Sequence, residues 1–287
     1  MQSVVVTGVS TGIGWAAAQA LIRRGFRVFG SVRKVQDAER LSREFGENFI
    51  PLLFDVTDEP AVQAAAQQVR ERLNGETLFG LVNNAGIAVP GPLMHLATDE
   101  FRRQLEVNLV SVLIVTKAFL PLLGADRSLR GKPGRIVNIS STSGKNGFPF
   151  VGAYVTTKHG LEGFSETLRR ELMLYGIDVI IVAPGAIATP IWDKADQTDI
   201  SMYENTEYID SARRVRELLV QNGKNGLPVE KVGELIWHAL TTPRPRVRYA
   251  PAPGNFIIRY LQTALPKRLI DWVIAKNLGF DGQKKTI

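Results

Sequence analysis

Ser3 is followed by three valines, Val4, Val5 and Val6, and the run empties into the glycine-rich turn TGVSTGIG at 7–14. Apolar side chains at successive positions of a strand point to both of its faces, so such a strand needs cover on both sides. The pattern returns in FRVFGSV (26–32), FIPLLFDVT (49–57), LFGLVNNAG (78–86), GRIVNISS (134–141) and IDVIIVAPG (177–185). Helical segments fall between these runs. WAAAQALIRRG (15–25) ends in basic residues and glycine, a helix stop, and VQDAERLSREFG (35–46) and EPAVQAAAQQVRERLNG (59–75) follow. A long helix is predicted over 98–123, with Thr98 as its N-cap, and another over 152–175. A helix near 228–241 and a strand RVRYA (246–250) complete the alternation. Buried strands alternating with helices predict the α/β class: a doubly wound parallel sheet flanked by helices.

The chain of 287 residues with 45% hydrophobic content supports one substantial core. It has no cysteine, which excludes disulfides, thiolate metal sites and a cysteine nucleophile. His95, His159 and His238 have no ligand spacing, so no metal site is expected. The opening MQSVVVTG has no basic stretch before a long apolar one, which argues against a signal peptide. No run of about 18 uncharged apolar residues predicts a membrane-spanning helix. The net charge of +7 is spread over separated basic pairs and accompanies no nucleic-acid-binding signature. The expected location is the cytoplasm.

Two features carry chemistry. The turn holds Gly8, Gly12 and Gly14 between a strand and a helix. Glycine admits positive φ and close approach of a ligand, and the helix behind offers free N–H groups and a positive dipole end to a phosphate. In GAYVTTKHG (152–160), Tyr154 stands four residues before Lys158, on one face of a helix. Alone, that pair is compatible with a tyrosine packed on a lysine stem.

The G-x-x-x-G-x-G spacing resembles the first motif of the short-chain dehydrogenase/reductase family. Asn83-Asn84-Ala85-Gly86, Asn108, Ser141 thirteen residues before Tyr154, Pro184-Gly185 and then Thr189 recur in the family's order. The resemblance covers about residues 2–253 and implies a Rossmann-type domain over 1–253, with 254–287 as a C-terminal helical extension and tail. It also implies a homodimer or homotetramer built through helices 98–123 and 152–175.

The resemblance implies the following roles. Tyr154 passes a proton to or from the substrate oxygen, and Lys158 favours its phenolate and holds the nicotinamide ribose. Ser141 hydrogen-bonds the substrate oxygen, and Asn108 keeps a relay water behind Lys158. Gly8, Ser10, Thr11, Gly12, Ile13 and Gly14 line the phosphates. Asp55 and Val56 meet the adenine; Asn84, Ala85 and Gly86 support its ribose. Pro184 and Gly185 lead to Ile187 and Thr189, which orient the carboxamide. NAD-specific relatives carry an acid at the end of the second strand, where this chain has Val32 followed by Arg33. An arginine pairs with a 2′-phosphate, so NADP(H) is preferred over NAD(H).

Val89, Leu93, Phe148, Phe150, Val151, Ala186, Ile191 and Trp192 are candidate pocket walls, which points to a lipophilic carbonyl or alcohol as substrate. The similarity is to members acting on steroids or retinoids. A redox-sensing regulator or scaffold without turnover is the alternative, and an intact Ser141–Tyr154–Lys158 set weighs against it. Segment 193–207 reads as mobile, and 254–280 as two amphipathic helices divided at Pro266. Three uses of 254–280 stay open: a lid, an oligomer contact, or peripheral contact with an anionic membrane.

Overall fold

The computed structural model describes residues 1–189, 200–252 and 265–280. Seven parallel strands run in the order β3-β2-β1-β4-β5-β6-β9. They are β1 (Ser3–Val6), β2 (Arg27–Val32), β3 (Phe49–Leu53), β4 (Gly80–Asn83), β5 (Arg135–Ile139), β6 (Asp178–Val182) and β9 (Arg248–Tyr249). A separate pair joins β7 (Ile187–Ala188) to β8 (Leu227–Pro228), also in parallel. The reversal of strand order at β1 and β4 opens a crevice at the carboxyl ends of the strands, the place where such sheets bind ligands.

Consecutive apolar residues are buried on opposite faces, as the unbroken valine run requires. Val4 and Val6 join Val28, Val82, Val137 and Ile180 on one face, beneath α1 (Gly12–Ile22) and α8 (Val229–Thr241). Val5 joins Phe29, Leu81, Ile136 and Val179 on the other, beneath α3 (Glu59–Leu73) and α5 (Ser111–Phe119). α2 (Val35–Phe45) adds Leu41 to the first face, α6 (Gly152–Glu171) packs Leu168 against the second, and α4 (Thr98–Leu105) lies against α6.

The long helix expected over 98–123 is present with two interruptions. α4 passes through a π-turn at Glu106–Val110 into α5 and ends in a 3-10 turn at Leu120–Leu123. Thr98 is its first helical residue and not its cap; Ala97 precedes it and no side chain caps the end. By length and composition, 98–123 is the one helix among the described residues able to cross a membrane. In the fold its Val112, Val115, Ala118 and Phe119 are buried.

Helix 152–175 is α6 closed by a 3-10 turn at Leu172–Tyr175. The strand expected over 49–57 stops at Leu53, because the chain leaves the sheet there and carries Asp55 into the crevice. α7 (Ile209–Lys224) was hidden in a stretch that reads as merely polar. Residues 193–199 of the expected mobile segment lie outside the described residues, and 201–203 form a 3-10 turn. The first extension helix also lies outside them, whereas the second is α9 (Lys267–Leu278).

Candidate active site

The turn after β1 delivers α1 to the crevice with its amide end forward. Gly12 takes φ +65°, and a side chain at Gly14 would place its Cβ 2.2 Å from the Gly8 carbonyl oxygen. Thr11 precedes α1 in an extended conformation and no side chain caps the helix, so its first N–H groups are open to an anion. The Thr189 methyl lies 3.6 Å from where a Gly12 Cβ would stand, so the loop after β6 closes over this turn. Ser10, Thr11 and Ile13 are at least partly exposed beside it. These features fit a dinucleotide pyrophosphate.

Thr7 locks the turn to the neighbouring strand. Its hydroxyl oxygen accepts from the backbone amides of Asn84 (2.9 Å) and Ala85 (3.0 Å). The Asn84 amide group donates back to the carbonyls of Thr7 and Gly8 at 2.9 and 3.0 Å. Asn84 therefore spends its donors on the glycine-rich turn, and its place beside the ribose is structural. Neither Thr7 nor Ser31, whose hydroxyl accepts from Gly8 N at 2.9 Å, stood out in the sequence.

Arg33 and Asp55 leave adjacent strands and meet at 3.7 Å across the crevice mouth. Burial pushes the Asp55 carboxyl up, but the Thr57 amide and hydroxyl and the Arg33 charge outweigh it and hold it below its ordinary value. Arg33 is 72% exposed in its side chain, and its long contact leaves the guanidinium accessible to a second anion. Val56 is buried beneath Asp55, and Gly86 is exposed at the end of β4.

Ser141 lies two residues beyond β5, and its hydroxyl accepts from Ser143 N at 3.1 Å, which orients it at the head of a short turn. Tyr154 comes from the first turn of α6, and the Ser141 hydroxyl exerts a lowering influence on its phenol. Burial raises the phenol above its ordinary value and exceeds the lowering by Ser141. The Lys158 amine lies 5.6 Å from the ring centroid and donates to the Ile139 carbonyl at 2.8 Å. Burial draws Lys158 itself down to about 8, against an opposing pull from Glu162.

Asn108 sits in the π-turn and is 1% exposed. Its Oδ1 accepts from Ile87 N at 2.8 Å, and its Nδ2 donates to Ile87 O (2.8 Å) and to the Thr157 hydroxyl (3.1 Å). Its side chain thus ties the loop after β4 to α6 one residue from Lys158. Ile187 is buried, and Pro184 accepts from Thr142 N at 2.9 Å, linking the two loops.

The proposed pocket walls divide. Val89 is held by Gln104 through two backbone contacts, and Leu93 lies under Gly152. Phe150 is buried in a satellite core with Tyr203, Ala212, Val215 and Leu278, and Phe148 packs against it. Phe150 is thus core and not wall. It adopts φ +66°, an uncommon conformation for a bulky residue, and packs on Tyr208 and Phe280. Ile191 and Trp192 lie outside the described residues.

Residues 2–200 match the short chain dehydrogenase family. The chain is 38% identical over 278 residues to NADPH-dependent 3-dehydrocapnine reductase of Ornithobacterium rhinotracheale, covering 97% of this chain and 98% of that one. It is 35% identical to retinol dehydrogenase 5 of Homo sapiens, covering 95% and 89%. Among solved structures, a short-chain dehydrogenase from Streptomyces avermitilis superposes with a TM-score of 0.75 at 26% identity, covering 98% of each chain.

Proposed function

The chain belongs to the short-chain dehydrogenase family and is an oxidoreductase acting on carbonyl and alcohol groups; we propose that it reduces a lipophilic ketone or aldehyde with NADPH, using Tyr154 as the acid. The observation that carries this reading is the Ser141–Tyr154–Lys158 arrangement. A half-buried phenol, raised by its surroundings, is influenced by the Ser141 hydroxyl and flanked by the Lys158 amine.

When bound, the nicotinamide supplies the hydride to the carbonyl carbon. The open N–H groups of α1, with Ser10, Thr11 and Ile13, would hold the phosphates, and Thr189 and Ile187 the carboxamide end. Arg33 would pair with the 2′-phosphate. The Ser141 hydroxyl hydrogen-bonds the substrate oxygen as charge develops there. Tyr154 gives its proton to that oxygen, and the Lys158 charge stabilises the phenolate left behind. A raised phenol suits the reductive direction, because the donor must arrive protonated.

NADPH as cofactor is supported by Arg33 and by the name of the bacterial relative, which is NADPH-dependent. A lipophilic substrate is supported by the relatives' names and by the apolar residues Val89 and Leu93 near the site. We also propose subunit contact through helices 98–123 and 152–175, where Val110 and Leu113 are exposed.

The test is NADPH oxidation by the purified protein over carbonyls from small keto acids to retinal and steroid ketones, with NADH alongside. Turnover confined to the lipophilic members with NADPH supports the reading. Turnover of small keto acids alone, or NADPH binding without any turnover, contradicts it.

A further inference from the structure

The mechanism leaves one buried charge unused. Glu162 lies one turn beyond Lys158 on α6, and its side chain is only 3% exposed. An isolated carboxylate does not stay charged in such a place, so its partners define its purpose. Arg248 of β9 forks onto it, Nε to Oε2 at 2.9 Å and Nη2 to Oε1 at 3.2 Å. Lys145, four residues after Ser141, approaches Oε2 at 3.8 Å. The intervening turn packs directly on the carboxylate: a Cβ on Gly144 would lie 3.0 Å from its Oε1. On the far side, the strand carrying Arg248 continues to Pro251, whose carbonyl accepts from Gly185 N at 2.8 Å. One carboxylate therefore touches the lysine helix, the serine turn and the strand that supports the Pro184-Gly185 loop.

We propose that Glu162 is a positioning residue of this active site: its buried carboxylate, one turn from Lys158 on the same helix, is the counter-charge of the lysine, and with Lys145 and Arg248 it clamps the two loops around the site. The inference rests on the proposed role of Lys158. It assigns each cation a distinct task. Lys158 faces the phenol, whereas Arg248 and Lys145 share the carboxylate and so weaken its hold on Lys158.

Among the described residues, no other charge of the packed elements pairs with this carboxylate. Asp99, Glu100, Arg102 and Arg103 of α4 pair with one another at the surface, and Asp178 of β6 pairs with Arg135. Tyr154 is the titrating neighbour on the lysine's other side.

The competing effects predict shifts of opposite sign in the full-length protein. Lysine carrying 13C at Cε is titrated by NMR, with the Lys158 resonance identified by its loss in Lys158→Met. In the wild type the midpoint is expected near the value of about 8 that burial imposes. Glu162→Gln should lower it by about one pH unit or more, since the opposing charge of the carboxylate is gone. Arg248→Met should raise it, since the carboxylate then acts on Lys158 with less competition. Glu162→Asp should stay on the wild-type side of Glu162→Gln. An unmoved midpoint in Glu162→Gln, or shifts of the same sign in both variants, would overturn the proposal. Should Glu162→Gln fail to fold, the directions seen in Glu162→Asp and Arg248→Met decide alone. The readout needs no turnover, so it separates this inference from the proposed reaction. Active wild type with an unmoved Lys158 sinks only the role of Glu162, and an inactive wild type with opposite shifts sinks only the reaction.

Discussion

The two sides of the crevice are built on different physics. The side formed by β1–β3 presents backbone amides, a positive-φ glycine and an exposed arginine. The side formed by β5, α6 and β9 presents buried polar side chains, most of them paired. Asn138 accepts from Asn83 at 2.9 Å and donates to Ser165 at 2.8 Å, Lys158 donates to Ile139, and Glu162 is forked by Arg248. The first side offers shape and surface charge, and salt screens the charge. The second holds charges out of water, where their values move by whole pH units. Substitutions on the first side should therefore act on cofactor affinity, and on the second on rate and pH dependence.

Four predictions test that division, the largest first. Ser141→Ala removes the hydroxyl beside the phenol and should lower kcat by about 10²–10³-fold, as loss of one oxyanion donor does. NADPH affinity, measured by fluorescence titration, should hold. A loss shared equally by affinity and kcat would erase the distinction between the sides.

Lys158 makes stability depend on pH. Its folded value of about 8 lies below the ordinary 10.5, so between these values the unfolded chain binds more protons. Stability should therefore rise as pH increases through that window, by a ceiling of about 3.4 kcal/mol. Below the folded value the penalty is fully present. Urea unfolding at pH steps should show the rise in wild type, with a smaller rise in Lys158→Met. Equal slopes would mean that Lys158 is not desolvated.

Gly14→Ala drives a methyl group into the Gly8 carbonyl and the Asn84 amide. It should cost about 1–3 kcal/mol in urea unfolding and weaken NADPH binding. Unchanged stability would show that the turn yields. Arg33→Asp should weaken NADPH by roughly tenfold, the scale of one charge-assisted contact, and narrow the preference over NADH. The wild-type advantage should fade with added salt; a preference insensitive to both would place the 2′-phosphate elsewhere.

The sequence showed the cofactor side more fully than the catalytic side. Gly12, Gly14 and Arg33 act locally, so a turn signature and a missing acid were enough to find them. The sheet was equally legible, because strands such as Val4-Val5-Val6 must be covered on both faces. Glu162 was not, since its partner Arg248 lies 86 residues away and a glutamate on a helix ordinarily faces water. The π-turn that aims Asn108 has no composition of its own. α7 was missed because Ala212 and Val215 are interspersed with arginines and glutamate. For Tyr154, spacing reports the neighbour's identity and not the desolvation that raises the phenol.

The account rests on Tyr154 as the proton donor, and Tyr154→Phe tests it most directly. The ring stays in place and only the hydroxyl is lost. With the best carbonyl from the panel, kcat should fall by about 10²–10⁴-fold, the range for losing a general acid, while NADPH binds as in wild type. Turnover within a few-fold of wild type would contradict the account.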